Sequence, residues 1–241
     1  MIGEVVAVTV AGFAVGAVFM ALANRRVSVE TARARWLKVT VFFVIVHAVL
    51  GVAAAGRPWV TALLLLVLAA GAAELRRAWQ LIQVPRPACV WPVFAVIAVL
   101  ALVNSWFLSP GVFAFLFLAA AACDGFSQVV GQLFGKRKLA RTVSPEKTVG
   151  GLVGGLIAAV VVALLTRDLL GTGSPLVAGT LAVFTGLAGL AGDLAASWVK
   201  RRAGIKDYSA ALPGQGGFLD RFDSLLGALA LVGTALVLTG S

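Results

Sequence analysis

The segment Ser197-Trp-Val-Lys-Arg-Arg-Ala-Gly-Ile-Lys-Asp-Tyr-Ser-Ala-Ala-Leu-Pro-Gly-Gln-Gly-Gly-Phe-Leu-Asp-Arg-Phe-Asp223 gathers cations, carboxylates, hydroxyls and a glycine-rich turn between two long apolar runs. In a chain that is 61% hydrophobic and 12% charged, such a concentration points to chemistry on a charged substrate at a membrane surface. Asp193 lies just upstream in Leu190-Ala-Gly-Asp-Leu, near the end of an apolar helix. A carboxylate there is costly unless it is paired or binds a cation. Asp220 and Asp223 are three residues apart, so a helical turn puts them on one face, and both gain from a helix N-terminus. Capping alone accounts for Asp223 but not for Asp193 or the second aspartate.

Carboxylates converging at one depth suit Mg²⁺, which takes one or two of them and completes its shell with water and substrate phosphates. Lys200, Arg201 and Lys206 add cations that bind phosphate, or that simply anchor the loop at the membrane face. Pro213-Gly-Gln-Gly-Gly217 reads as a turn whose bare amides can approach an anion, flanked by Lys206-Asp207 and Asp220-Arg221.

A second cluster runs from Asp124 through Gly131 and Gly135 to Ser144-Pro-Glu-Lys-Thr148. The reading is that Ser144 caps a helix opened by Pro145, with Lys147 and Thr148 in the first turn, where phosphate binding is favoured. An ordinary capped helix start explains Ser144 and Pro145 but leaves Lys147 without a reason.

The elements that must position these residues are membrane helices. The mean hydropathy of +1.01 and the repeated apolar runs define an all-α, polytopic integral membrane protein. Eight candidate spans lie at about 2–23, 39–55, 58–74, 89–107, 110–130, 149–166, 174–196 and 223–240. The first reads as a retained helix rather than a cleaved leader. The second and third, joined at Gly56-Arg57-Pro58, read as two spans or a re-entrant pair. Of the 20 Lys and Arg residues, only Arg57 and Arg167 fall in the even-numbered connections. The others, from Arg25 and Arg26 to Arg221, share one side, so the positive-inside rule puts both termini on the non-cytoplasmic side and the polar segment in the cytoplasm. Residues 1–108 form an N-terminal helical segment, and 109–241 the catalytic core.

The net charge of +10 reflects this topology and contact with anionic headgroups and phosphates; no basic patch interleaved with aromatics suggests nucleic acid. Gly150, Gly151, Gly154 and Gly155, with Gly186, Gly189 and Gly192, are spaced for close helix packing. His47, the single histidine, reads as a packed, hydrogen-bonded core residue, and Cys89 and Cys123 as small core residues. With no histidine near the polar segment, a Ser/His/Asp triad is excluded there.

The 197–223 segment resembles the signature of the CDP-diacylglycerol synthase (phosphatidate cytidylyltransferase) family. Ser197, Lys200, Arg201, Lys206, Asp207, Ser209, Leu212, Pro213, Gly216, Gly217, Asp220, Arg221 and Asp223 fall in register, and the Asp124 to Thr148 cluster is similar to the family's second block. Gln215 stands where the family has a histidine, and Ala196 where it often has an acid.

The resemblance implies attack of a lipid phosphate on the α-phosphorus of CTP, giving CDP-diacylglycerol and pyrophosphate. It implies Asp193 and Asp220 as ligands of Mg²⁺ (or Mn²⁺, with room for a monovalent cation), with Asp223 and Asp124 behind them. Lys147, Lys200, Lys206 and Arg221 would hold the triphosphate or headgroup, with Arg201, Thr148, Asp207, Gly216 and Gly217 in the substrate site. Ser144, Ser197 and Gln215 would supply hydrogen bonds. A homodimer in the cell membrane is also implied. The nearest alternative is a CTP-dependent polyprenol or phytol kinase, and a more distant one is a non-catalytic transporter or scaffold.

Overall fold

A chain this apolar, immersed in lipid, must satisfy its peptide groups internally, and helices do so segment by segment. The computed structural model describes residues 2–25, 27–83 and 85–240; Arg26, counted above among the one-sided cations, lies outside them. The helices are α1 (Ile2–Asn24), α2 (Val29–Ala55), α3 (Arg57–Leu81), α4 (Val90–Phe107), α5 (Pro110–Phe134), α6 (Val149–Leu165), α7 (Pro175–Arg202), α8 (Phe218–Ala228) and α9 (Thr234–Thr239). α8 and α9 are one rod, joined by a π-type turn at Leu229–Gly233. Among the described residues seven helical stretches are long and apolar enough to cross a membrane, and α6 adds a shorter apolar one of 17 residues.

Local chemistry sets the boundaries. Ser28, Ser109 and Ser174 cap α2, α5 and α7 through their hydroxyls, and Pro110 and Pro175 open the last two. Gly56, at φ 107°, makes the break between α2 and α3. These helices run 27 and 25 residues, about 40 and 37 Å, so each is long and apolar enough for a full span, as the two-span reading requires. α2 begins ten residues earlier than its apolar run, because Ser28 caps it and its first turns are polar but helical.

The start of α6 departs from the sequence reading. Ser144–Thr148 is a strand, β2, paired antiparallel with β1 (Lys138–Ala140), and is not a helical turn. The cap is Thr148, whose hydroxyl accepts from Gly151 N at 3.0 Å. The hairpin gives the backbone partners that a helix begun at Pro145 would otherwise have supplied. It also places Lys147 just ahead of the helix N-terminus, where Asp193 and not the helix balances its charge.

α5 and the α8–α9 rod form the buried centre, with Phe113, Phe115, Leu116 and Leu229 fully enclosed. α6 seats on α5 through Gly151, Gly154 and Gly155, and a Cβ at Gly155 would run into Ser127 and the Cys123 carbonyl. α7 seats on α8 where Gly192 meets Gly227 and the Asp223 carbonyl, which sets Asp193 beside Asp223. On α4, buried Asn104 donates to Leu229 O at 2.7 Å and Thr234 Oγ1 at 2.9 Å, securing the π-type turn. His47 packs on Phe43 and hydrogen-bonds Thr9 and the Phe43 carbonyl, so it is packed and hydrogen-bonded as expected but half-buried, outside the core. Cys123 is buried as expected, whereas Cys89 is exposed at the start of α4.

Candidate functional site

Residues of α1, α2, α5, α6, α7 and α8, with the β-hairpin and the loop after α7, line a cavity of about 380 Å³. Asp193, Ser197 and Lys200 recur at helical spacing on α7. Ser197 Oγ donates to Asp193 Oδ1 at 3.1 Å, and Lys147 Nζ reaches Asp193 Oδ2 at 2.5 Å. Burial works to lower the Lys147 pKa, but Asp193 and then Asp124 outweigh it and raise the pKa, so Lys147 is a cation at neutral pH.

Lys200 is buried and donates to Asp220 Oδ1 at 2.6 Å, with its ammonium 5.4 Å from the centre of the Tyr208 ring. Asp220 Oδ2 accepts from Tyr208 N at 2.7 Å and Gly217 N at 2.9 Å. Both oxygens of Asp220 are therefore committed to holding the 206–217 loop on α7 and α8. Across the cavity, Arg221 lies 3.6 Å from Asp124, donates to Gln215 Oε1 at 3.1 Å, and stacks 4.5 Å from the Phe42 ring. Asp223 is buried; its hydrogen bonds come from Ser224, and it pairs with no cation among the described residues.

The glycine-rich turn does a different job from the one its sequence suggests. Glu74, buried on α3, accepts from Ser209 Oγ at 2.6 Å, Phe218 N at 3.1 Å and Leu219 N at 2.8 Å. With Asp220 holding Gly217 N, the first amides of α8 are already satisfied by carboxylates and are not free for an anion. Gly216 sits at φ 83° against Asp220, and a Cβ at Gly217 would collide with Glu74. Both glycines are needed for close approach, and neither lines the cavity.

Gln215 is a tie rather than a proton carrier: its Nε2 donates to the Lys38 carbonyl of α2 at 2.6 Å. Arg201 turns away to the Val143 and Ile205 carbonyls, and Ser197 reaches the cavity only through Asp193. Lys206, exposed and 3.5 Å from Glu146, lies on the rim with Asp207, while Ser144 and Thr148 line the wall.

Sequence reasoning missed Glu74, Tyr208, Arg35, Lys38 and Phe42 as site residues. Glu74 left a signal, since a lone acid inside an apolar run must find partners. Tyr208 left less; its hydroxyl donates to the Ala196 carbonyl at 3.0 Å. Burial first, then Asp223, Asp220 and Glu74, push the Tyr208 phenol well above its usual range. Its stabilising contribution is full below about pH 10, where an unfolded phenol starts to ionise, and declines above that. Tyr208 is the single tyrosine of the chain, so tyrosinate absorbance reports on it alone. The folded protein should show no tyrosinate signal at pH 10.5, and denatured protein should be more than half ionised; equal titration curves would contradict the burial.

The charges bear on a metal. Four carboxylates, Asp124, Asp193, Asp220 and Asp223, face three inner cations, Lys147, Lys200 and Arg221. The surplus negative charge falls on Asp223, next to Asp193. Among the described residues no three acidic, His or Cys side chains are grouped so that they could hold a metal ion by themselves. Mg²⁺ accepts one or two carboxylates and completes its shell with water and substrate oxygens, so Asp223 fits as a ligand, and Asp193 beside it would join on releasing Lys147, with Asp124 nearby.

The profile of the Cytidylyltransferase family matches residues 2–239, nearly the whole chain. The chain belongs to the Cytidylyltransferase family. Among its relatives is a phosphatidate cytidylyltransferase of Brucella abortus biovar 1 (strain 9-941), 42% identical over 122 residues, 49% of this chain and 44% of the relative. Proteins of the same name from Mycobacterium leprae (strain TN) and Mycobacterium tuberculosis (strain ATCC 25618 / H37Rv) are 38% and 37% identical over 123 and 111 residues. These cover 51% and 46% of this chain and 39% and 34% of the relatives. Each match thus spans less than half of the relative's length. No solved structure matches the chain.

Proposed function

We propose that this cytidylyltransferase-family chain transfers the cytidylyl group of CTP to phosphatidate, forming CDP-diacylglycerol and releasing pyrophosphate. The observation that carries the reading is the character of the cavity. One end is charged, with Lys147, Lys200, Lys206 and Arg221 among carboxylates, and it runs without a break into an apolar wall from α1, α2 and α5. A substrate that is a phosphate at one end and hydrocarbon at the other matches both halves, and the names of the relatives agree with it.

In the reaction a lipid phosphate oxygen bonds to the α-phosphorus of CTP as the bond from that phosphorus to the bridging oxygen breaks, and pyrophosphate leaves with that oxygen. The nucleophile is already anionic at neutral pH, so no general base is required. Positioning and charge neutralisation carry the catalysis. Lys147 and Lys206 meet the phosphates from the hairpin side and the loop side. Arg221, fixed by Gln215, Asp124 and Phe42, faces them from the opposite wall. Lys200, locked onto Asp220, keeps the loop in register. Bound at Asp193 and Asp223, Mg²⁺ would supply neutralisation of phosphate charge.

The one-sided cations put this face in the cytoplasm, both termini outside, in the cell membrane. Pairing of two chains belongs to the same reading, and the exposed apolar stripe Val153, Ile157, Val161 and Leu165 on α6 offers a surface for it.

The test is a purified-enzyme assay with CTP, dCTP or ATP as donor and phosphatidate or an isoprenoid alcohol as acceptor. The reading expects CDP-lipid and pyrophosphate from CTP with phosphatidate. A phosphorylated alcohol with CDP as co-product would establish the kinase instead, and no turnover with any pair would defeat both.

A further inference from the structure

We infer that Arg35 and Lys38 on α2, with the apolar face that continues below them, form the binding site for the lipid phosphate, separate from the cations that meet the nucleotide. The inference rests on the proposed cytidylyl transfer and assigns its second substrate to particular residues. Six cations line the cavity: Arg35, Lys38, Lys147, Lys200, Lys206 and Arg221. Four are matched by carboxylates, Lys147 by Asp193, Lys200 by Asp220, Lys206 by Glu146 and Arg221 by Asp124. Arg35 and Lys38 have no carboxylate within 4.0 Å among the described residues, so their charge is free for an incoming anion. Arg35 is oriented by NH1, which donates to Asn24 Oδ1 at 3.1 Å and the Ala23 carbonyl, and its other nitrogens stay available. Lys38 is held through its backbone, since its carbonyl accepts from Gln215.

The residues that follow define what the anion is attached to. Positions 35, 38, 39, 42 and 46 recur at helical spacing, so the two cations and the cavity-lining Val39, Phe42 and Val46 share one face of α2. Facing them on α1, Gly12 and Gly16 also line the cavity, and a Cβ at either would meet nothing within 4 Å. That open, hydrocarbon-lined space begins where the unmatched charges end. A phosphomonoester carrying acyl chains fits this order, with its dianion between Arg35 and Lys38 and a chain along Val39 to Val46. A free phosphate or pyrophosphate would use the charges and leave the apolar length empty.

The experiment uses the full chain in detergent with short-chain phosphatidate. Arg35→Gln and Lys38→Gln should each raise the KM for phosphatidate about tenfold, the loss of one charge-assisted contact, with the KM for CTP within twofold of wild type. Lys38→Arg should restore the phosphatidate KM, which a merely structural role for the lysine would not predict. Glycerol 3-phosphate and inorganic phosphate should compete at least tenfold more weakly than phosphatidate. Native mass spectrometry supplies a readout independent of turnover: wild type should retain phosphatidate over diacylglycerol, and the double variant should not. A raised KM for CTP with unchanged KM for phosphatidate, equal competition by inorganic phosphate, or equal lipid retention by wild type and the double variant would overturn the assignment. Absence of CDP-lipid with selective phosphatidate retention intact would defeat the transfer reaction and leave the lipid site standing.

Discussion

Asp193→Asn is expected to lower CDP-lipid formation by roughly two to three orders of magnitude, the range seen when a preorganised charge at a reacting phosphate is lost. Asparagine keeps an oxygen for the Ser197 hydroxyl, so the α7 turn survives. What goes is the negative charge that pairs with Lys147 and that, with Asp223, makes the carboxylate surface for a divalent ion. Lys147 is only about four-fifths covered at its side chain, so the loss in stability is modest and circular dichroism should be unchanged. The pH dependence adds a signature. Burial lowers the Lys147 pKa and Asp193 is the first group that raises it; without Asp193 the lysine loses its proton at lower pH. The alkaline limb of the residual activity should therefore move down in pH. Turnover within tenfold of wild type, with an unmoved alkaline limb, would remove Asp193 from the site.

Glu74→Ala is expected to be the most damaging single change to stability outside the helix packing. It strips the acceptor from the Ser209 hydroxyl and the amides of Phe218 and Leu219 at a buried point. Unpaired buried donors cost about 1–3 kcal/mol each, and water entering the space left behind offsets part of this, so a net loss of about 3 kcal/mol is expected. The consequence for activity follows from position. Glu74 and Asp220 together pin the 206–217 loop, and that loop keeps Lys200, Gln215 and Arg221 in register. Glu74→Gln, which retains one carbonyl acceptor, should fall between the two. The measurement is a thermal unfolding midpoint in detergent beside the turnover number. An alanine variant as stable and as active as wild type would show that the α8 start is held by something else.

The helices were legible because lipid imposes one rule on every span, and eight apolar runs with cations in alternate connections obey it. The glycine seams were legible for the same reason: Gly155 and Gly192 sit where two backbones must touch. The hairpin at Ser144–Thr148 was not legible. Its Ser-Pro start carries the local chemistry of a helix cap, and only pairing with Lys138–Ala140 decides for a strand. In the site, the sequence brought the right carboxylates and cations together but could not apportion them. Asp220 and Asp193 look alike in sequence, yet Asp220 is consumed by two backbone amides and Lys200, while Asp193 pairs with Ser197 and Lys147 and lines the cavity. The glycine-rich turn looked like an anion cradle because Glu74, more than a hundred residues away, is invisible to local reading. The contribution of α2 was hidden in the same way, since Lys38 and Phe42 acquire a role only when Gln215 and Arg221 fold back onto them.

The position of bond cleavage in CTP tests the central claim most directly. CTP labelled separately at the α- and γ-phosphorus is supplied with phosphatidate, and the lipid product is isolated. Cytidylyl transfer at this cavity predicts α-label in the lipid fraction and γ-label in released pyrophosphate. Recovery of γ-label in lipid, with the α-label left in CDP, would contradict the account.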